Sequence, residues 1–179
     1  QVVGYTVLTD QLVKTRWSEL TEQEHGQVSQ LAFNNVGVVT SQGRAAWPVK
    51  GKAAALLSAV IRQQGGDAYT AVVPQLIARA SEGPGQAEMA CMLLHYISED
   101  LTVFDTNNNE GKRSFLSSLT NSVNSVFPFL CEMLQQHFML AYNAQQAGQA
   151  EPLAAHSAVI TASLNALSTW VEWTPMARI

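Results

Sequence analysis

The sequence is poor in charge. Lys, Arg, Asp and Glu make up 13% of its 179 residues, against roughly a quarter in an average globular domain. Ten basic and fourteen acidic side chains leave a net charge of −4. That balance argues against a self-sufficient nucleic-acid-binding domain, which needs a basic patch to neutralise phosphates. Long apolar runs are missing as well: none reaches the roughly 18 residues of a membrane helix. Cysteine is scarce. Cys91 and Cys131 each sit in an apolar helical run and read as buried thiols. A disulfide between them has no support, because no secretory signal is visible. The chain opens on Gln1 rather than methionine, which reads as a processed chain or a fragment. These features predict a soluble protein of a reducing compartment.

Signatures of catalysis are missing too. His25, His95, His137 and His156 are far apart and show neither HExxH nor paired-cysteine spacing. Each reads as a satisfied or surface histidine. No Gly-x-Ser-x-Gly elbow occurs among the many serines. Gly83-Pro84-Gly85 follows a helical pattern and contains proline, so it is a turn and no phosphate loop. The sequence therefore predicts no enzyme, and no catalytic, metal or cofactor residue is assigned.

What is present is helical periodicity throughout, with no convincing strand alternation. Tyr5, Leu8, Leu12 and Val13 share a face of a first helix ending near Arg16 and Trp17. Thr21 and Glu24 fit a capping box that opens a second helix to about Val38. Its inward positions read as Val28, Leu31, Ala32 and Asn35 or Val36. After a loop from Ser41 to Trp47, Pro48 suits the first turn of a third helix striped by Ala53, Leu56, Leu57, Val60 and Ile61. Gly65-Gly66 ends it, and Asp67 reads as the next N-cap. Pro74 interrupts the stripe of Val72, Val73, Leu76 and Ile77, which predicts a kink or a late start. A fifth helix covers about Gln86 to Ile97, before a polar turn at Asp105 to Asn109. From Phe115 to Phe138 the apolar spacing continues for over six turns. Pro128 and the polar Asn121 to Ser125 patch predict two helices, about 110–122 and 124–143, or one bent one. The last helix runs from about Pro152 to Trp173, with Leu164, Leu167, Trp170 and Val171 on one face and a corner at Pro175. The expected fold is all-α, a HEAT/armadillo-like solenoid of antiparallel helix pairs, one pair per roughly 40–50 residues. Residues 1–179 read as a single segment of about four helical repeats, incomplete at both ends.

Two charged pairs are candidate partner contacts. Glu99-Asp100 closes a helix, where adjacent acids point in different directions and suit a solvated cap or a partner. Lys112-Arg113 is the one adjacent basic pair and opens a helix, where cations oppose the macrodipole. Its bland reading is a solvated face; its sharper one is a partner's acidic or phosphate group that offsets the cost.

Several segments, in order, resemble the exportin-five and HASTY branch of the nuclear exportins, within the importin-beta superfamily of karyopherins. They are Lys14-Thr15-Arg16-Trp17, Lys50 to Leu56 with Val60-Ile61-Arg62, Ile97 to Val103, Glu110 to Arg113 with Leu116 and Leu119-Thr120, and Trp170 to Pro175 with Ile179. The likeness spans nearly the whole chain and is closer to the plant branch. It departs at Gln63 to Tyr69, where an acidic, tryptophan-containing corner is expected, and at 112–113, where the basic run is one residue short. The resemblance implies a segment of a nuclear export receptor. Such a receptor binds Ran in its GTP form and carries small structured RNA, such as microRNA precursors, from nucleus to cytoplasm. It meets nuclear pore proteins on the way, needs no cofactor and does not insert into membranes. The alternatives are an import or protein-cargo karyopherin and a helical scaffold outside the karyopherins.

Overall fold

The computed structural model describes residues 2–42, 46–99 and 110–174, without the side chains of 110–112 and 173. Among them are seven α-helices, short π and 3-10 segments and no strand. The helices are α1 (Val2–Val7), α2 (Glu22–Thr40), α3 (Trp47–Gln64), α4 (Gly66–Arg79), α5 (Pro84–Glu99), α6 (Glu110–Gln146) and α7 (Ala150–Trp173). α1 runs on as a π-helix over Leu8–Val13. The wider turn lets Lys14 donate to the Thr9 carbonyl, and it brings Tyr5, Thr9 and Val13 onto the buried side.

The helices form two layers. α1, α3, α5 and α7 pack side by side in one layer; α4 and α6 pack in the other, and α2 lies against α3. Polar contacts fix the directions. Cys91 meets Ser163 and Ser98 meets Thr169, so α5 and α7 are parallel. His137 meets His156, so α6 and α7 are antiparallel. This is an all-α, HEAT-like arrangement, as the periodicity predicts.

Local sequence chemistry explains the boundaries. The capping box at α2 is present: the Thr21 hydroxyl accepts from the Glu24 N–H, and the Thr21 N–H donates to the Glu24 carboxylate at 2.8 Å. Pro48 occupies the first turn of α3. Gly65 ends that helix at φ 87°, a left-handed conformation that glycine adopts without a Cβ penalty. Gly66 then starts α4, so Gly65 takes the N-cap position and Asp67 lies one residue inside the first turn. The glycine is needed there: a Cβ on Gly66 would come within 2.8 Å of the Ser114 carbonyl on α6. α4 passes through Pro74 and is regular on both sides of it. α6 is likewise one helix of 37 residues through Pro128. Its polar patch at 121–125 does not break the backbone: Asn121, Asn124 and Ser125 face solvent, Val123 is buried, and Ser122 bonds Tyr69 of α4.

Burial corrects the stripes in places. The α3 stripe is buried as predicted, and Trp170, Leu119, Val123 and Leu130 are fully enclosed. Leu31, Leu116, Phe138, Leu164 and Val171 are exposed instead, with Phe138 at 60% and Leu164 at 50%. On α7 the inward line is Val159, Ala162, Ser163, Ala166 and Trp170. Small residues let α7 approach α5 closely, and the larger leucines fall on its flanks. Cys91 is buried, but Cys131 is exposed. It lies on the flank of α6, one position off the line of Leu130 and Met133 that meets the core. The turn at 105–109 and the corner at Pro175 lie outside the described residues.

Candidate functional site

Of the four candidate partner residues, Glu99 closes α5 and Lys112 and Arg113 stand at the start of α6. Glu99 is the last residue of α5, and its side chain is half exposed. One turn earlier His95 donates from Nδ1 to the Asn165 carbonyl of α7 and presents Nε2 at 3.9 Å from the Glu99 carboxylate. Asp100 lies outside the described residues. Lys112 and Arg113 belong to the first turn of α6; Arg113 is exposed, and the Lys112 side chain is not described. α5 and α6 run antiparallel, since both are referenced to α7. The end of one and the start of the other therefore share one edge of the array. An acid at a helix C-terminus and cations at an N-terminus each oppose the macrodipole of their own helix.

Behind that edge lies a seam of buried polar contacts between α5 and its neighbours. Trp170 is fully enclosed; its indole N–H donates to the Leu94 carbonyl at 2.9 Å, and its ring meets Phe127 edge-on. Ser98 and Thr169 share a hydrogen bond of 2.7 Å, and Cys91 contacts Ser163 at 3.3 Å. Burial pushes the Cys91 thiol up to about 12, with Glu88 adding to the rise and Ser163 opposing it. Such a thiol stays protonated and unreactive at neutral pH. On the other side of α5, Lys50 and Glu88 form a buried ion pair at 2.7 Å. These contacts position helices, and none is arranged as a nucleophile with its base.

Two histidine placements escape sequence reasoning. His25 stacks on Trp17 with ring centroids 4.3 Å apart and donates to the Trp17 carbonyl, which closes the corner between α1 and α2. His137 and His156 meet across the α6–α7 hairpin, Nδ1 to Nδ1, at 3.0 Å. Their separation in sequence hid this contact. A signal was available: His137 falls four residues from both Met133 and Ala141, on the line that faces α7. Among the described residues, no group of three or more His, Cys, Asp or Glu side chains could hold a metal ion. No described helix is long and apolar enough to cross a membrane.

The layered helix pairs, the interhelical seam and the charged edge define a helical-repeat protein of the HEAT-like kind. Comparison with known proteins narrows this. The model of the family described as Exportin 1-like protein matches residues 46–179, and the chain belongs to that family. Protein HASTY 1 of Arabidopsis thaliana is 30% identical over 166 residues, which cover 92% of this chain and 14% of the relative. Exportin-5 of Homo sapiens is 20% identical over 178 residues, again 14% of its own length. The chain thus spans about a seventh of these relatives. The plant relative is the more similar of the two, in line with the branch that the sequence motifs suggest.

Proposed function

We propose that this chain is a segment of a nuclear export receptor that binds Ran in its GTP form and carries small structured RNA from nucleus to cytoplasm. The observation that carries the reading is the match of residues 46–179 to the exportin family, on a two-layer helical array. Arrays of this kind offer extended surfaces able to wrap a macromolecule. In this reading the segment contributes about four helical repeats to a longer solenoid. The protein performs no chemistry of its own. Ran-GTP and cargo strengthen each other's binding by one shared coupling free energy, and GTP hydrolysis by Ran removes it. The receptor shuttles through the nuclear pore and contacts pore proteins as it does so.

The net charge of −4 argues against this segment supplying most of the RNA contacts. It fits the Ran-binding side better, with Glu99 and Asp100 facing basic groups and Lys112 and Arg113 facing acidic ones. The test is binding of the full-length protein to Ran loaded with GTP or GDP, with and without a short RNA hairpin. Tight binding to the GTP form alone, strengthened by RNA, is expected. Equal binding to the GDP form would sink the proposal, and cooperative capture of protein cargo without RNA would replace the RNA part of it.

A further inference from the structure

The α6–α7 hairpin reaches beyond its neighbours. Gly66 of α4 lies against Ser114 and Ser118, and Tyr69 against Phe115 and Ser122. α4 ends at Arg79, so this register leaves the last turns of α6 without an α4 partner. Cys91 of α5 lies level with Ser163, so the start of α5 comes level with the region of His156 and no lower. The hairpin tip, residues 138–155, therefore packs largely on itself. Its exposure agrees: Phe138, Met139, Leu140 and Tyr142 are all open to solvent. The apolar groups that it encloses are small, with Ala141 and Ala144 buried on α6. At the root of this tip stands the His137–His156 contact.

That contact has a strict proton requirement. One Nδ1 donates and the other accepts, so at least one ring must be neutral. When both rings carry a proton, the hydrogen bond is lost and two cations face each other at 3.0 Å. His137 is 5% exposed, so water screens little of that repulsion. Burial lowers the pKa of both rings, and His156 lowers that of His137 further. No carboxylate is in place to compensate among the described residues. Glu132 on α6 and Glu151 on α7 are exposed and make no ion pair with either ring. On α5, Glu88 is engaged by Lys50, and Glu82 before it is engaged by Arg79. Lone pairs that point at each other also suit a hydrogen bond better than a shared metal ion, whose ligands must converge on a point off their axis.

We propose that His137 and His156 form a pH-sensitive clasp: the hairpin tip is held closed while one ring is neutral and opens when both are protonated. The switch works below the free imidazole pKa of about 6.5, so the tip is closed at neutral pH and released on acidification. This inference stands apart from the export reading and needs neither Ran nor RNA.

The experiment uses the 179-residue chain. Its histidine ring signals are followed by NMR from pH 8 to 5, and amide exchange is measured at pH 7.5 and 5.5 with the intrinsic pH effect removed. The signals of His137 and His156 are expected to titrate below free imidazole. Protection over 138–155 is expected to fall roughly tenfold at the lower pH while the α5–α7 seam stays protected. In His156→Gln, which keeps a hydrogen-bonding side chain without a second cation, the pH response of the tip should shrink to what burial of His137 alone leaves. Tip exchange that is equal at both pH values overturns the proposal. So does a loss of protection that is uniform over the chain, or a wild-type response in His156→Gln. If that variant does not fold, the wild-type titration decides: two rings that titrate like free imidazole overturn the clasp.

Discussion

Two stretches of the same helix make the comparison that matters most here. The second half of α7 lies in the seam with α5, where Ser163, Ala166 and Trp170 are fully enclosed and side-chain hydrogen bonds from Cys91, His95, Ser98 and Trp170 cross the interface. The first turns of α7 lie in the hairpin tip with α6, where buried alanines and one histidine pair hold the contact. Both stretches are regular α-helix. They differ in their neighbours: the seam has a helix on either side, and the tip has only its own partner. In an array of stacked pairs, stability is a sum of such neighbour terms. It gathers where layers overlap and thins where one helix outruns the others.

The sharpest way to break the seam is Trp170→Ala. The ring is enclosed and its N–H is bonded to the Leu94 carbonyl, so the change removes a large buried volume and one interhelical hydrogen bond. A loss of roughly 3–5 kcal/mol in urea unfolding is expected. A shift near zero would show that the ring is not held between helices in solution. Next in size comes Lys50→Ala on the α3 side of α5. It leaves the Glu88 carboxylate buried at 3% exposure without its cation, and one of its oxygens already lacks a partner. The cost is about 3 kcal/mol, at the low end for a broken buried pair because the lone carboxyl can take up a proton. Replacing both residues, as Lys50→Met with Glu88→Leu, should recover most of that loss. A double variant as unstable as the single one would show that the pair does more than satisfy itself.

Much of this was legible in the sequence, and the misses have a common cause. Helix existence, the capping box at Thr21 and the stop at Gly65 rest on local chemistry that needs no neighbour. The enclosed position of Trp170 also followed from pattern. Which flank of a stripe is covered did not follow, because it depends on where the adjacent helix begins and ends. Phe138 and Leu116 keep perfect helical spacing and are exposed all the same, since α6 outruns α4 at one end and presents a flank at the other. Leu164 and Val171 lose to Ala162 and Ala166 because close approach of α5 selects small residues. Of the candidate residues, Arg113 was readable as a cation set against a helix dipole and Glu99 as an acid at a helix end. The histidine pair was not, because nineteen residues of sequence separate rings that a hairpin brings together.

A milder probe acts on the tip alone. His137 and His156 have folded-state pKa values below the ordinary 6.5, so between those values the unfolded chain binds more protons than the folded one. Their contribution is intact above about 6.5 and is lost as pH falls through the folded values. Thermal melts should therefore show stability declining from pH 7 toward pH 5, with a shallower decline in His156→Gln. An identical slope in the variant would place the acid sensitivity elsewhere in the chain.

The smallest expected effect is the most informative about the tip. Phe138 is 60% exposed, one residue from a buried histidine. In the seam, an aromatic truncated to alanine costs several kcal/mol. In the tip, Phe138→Ala should change stability by no more than about 0.5 kcal/mol, because most of the ring already meets water. Urea unfolding of the two variants side by side measures the contrast directly. A loss above roughly 1 kcal/mol at Phe138 would mean that the ring is covered in solution. The tip would then be an interface rather than an overhang. A null result leaves four neighbouring apolar side chains, Phe138 to Leu140 and Tyr142, as surface that the fold does not need.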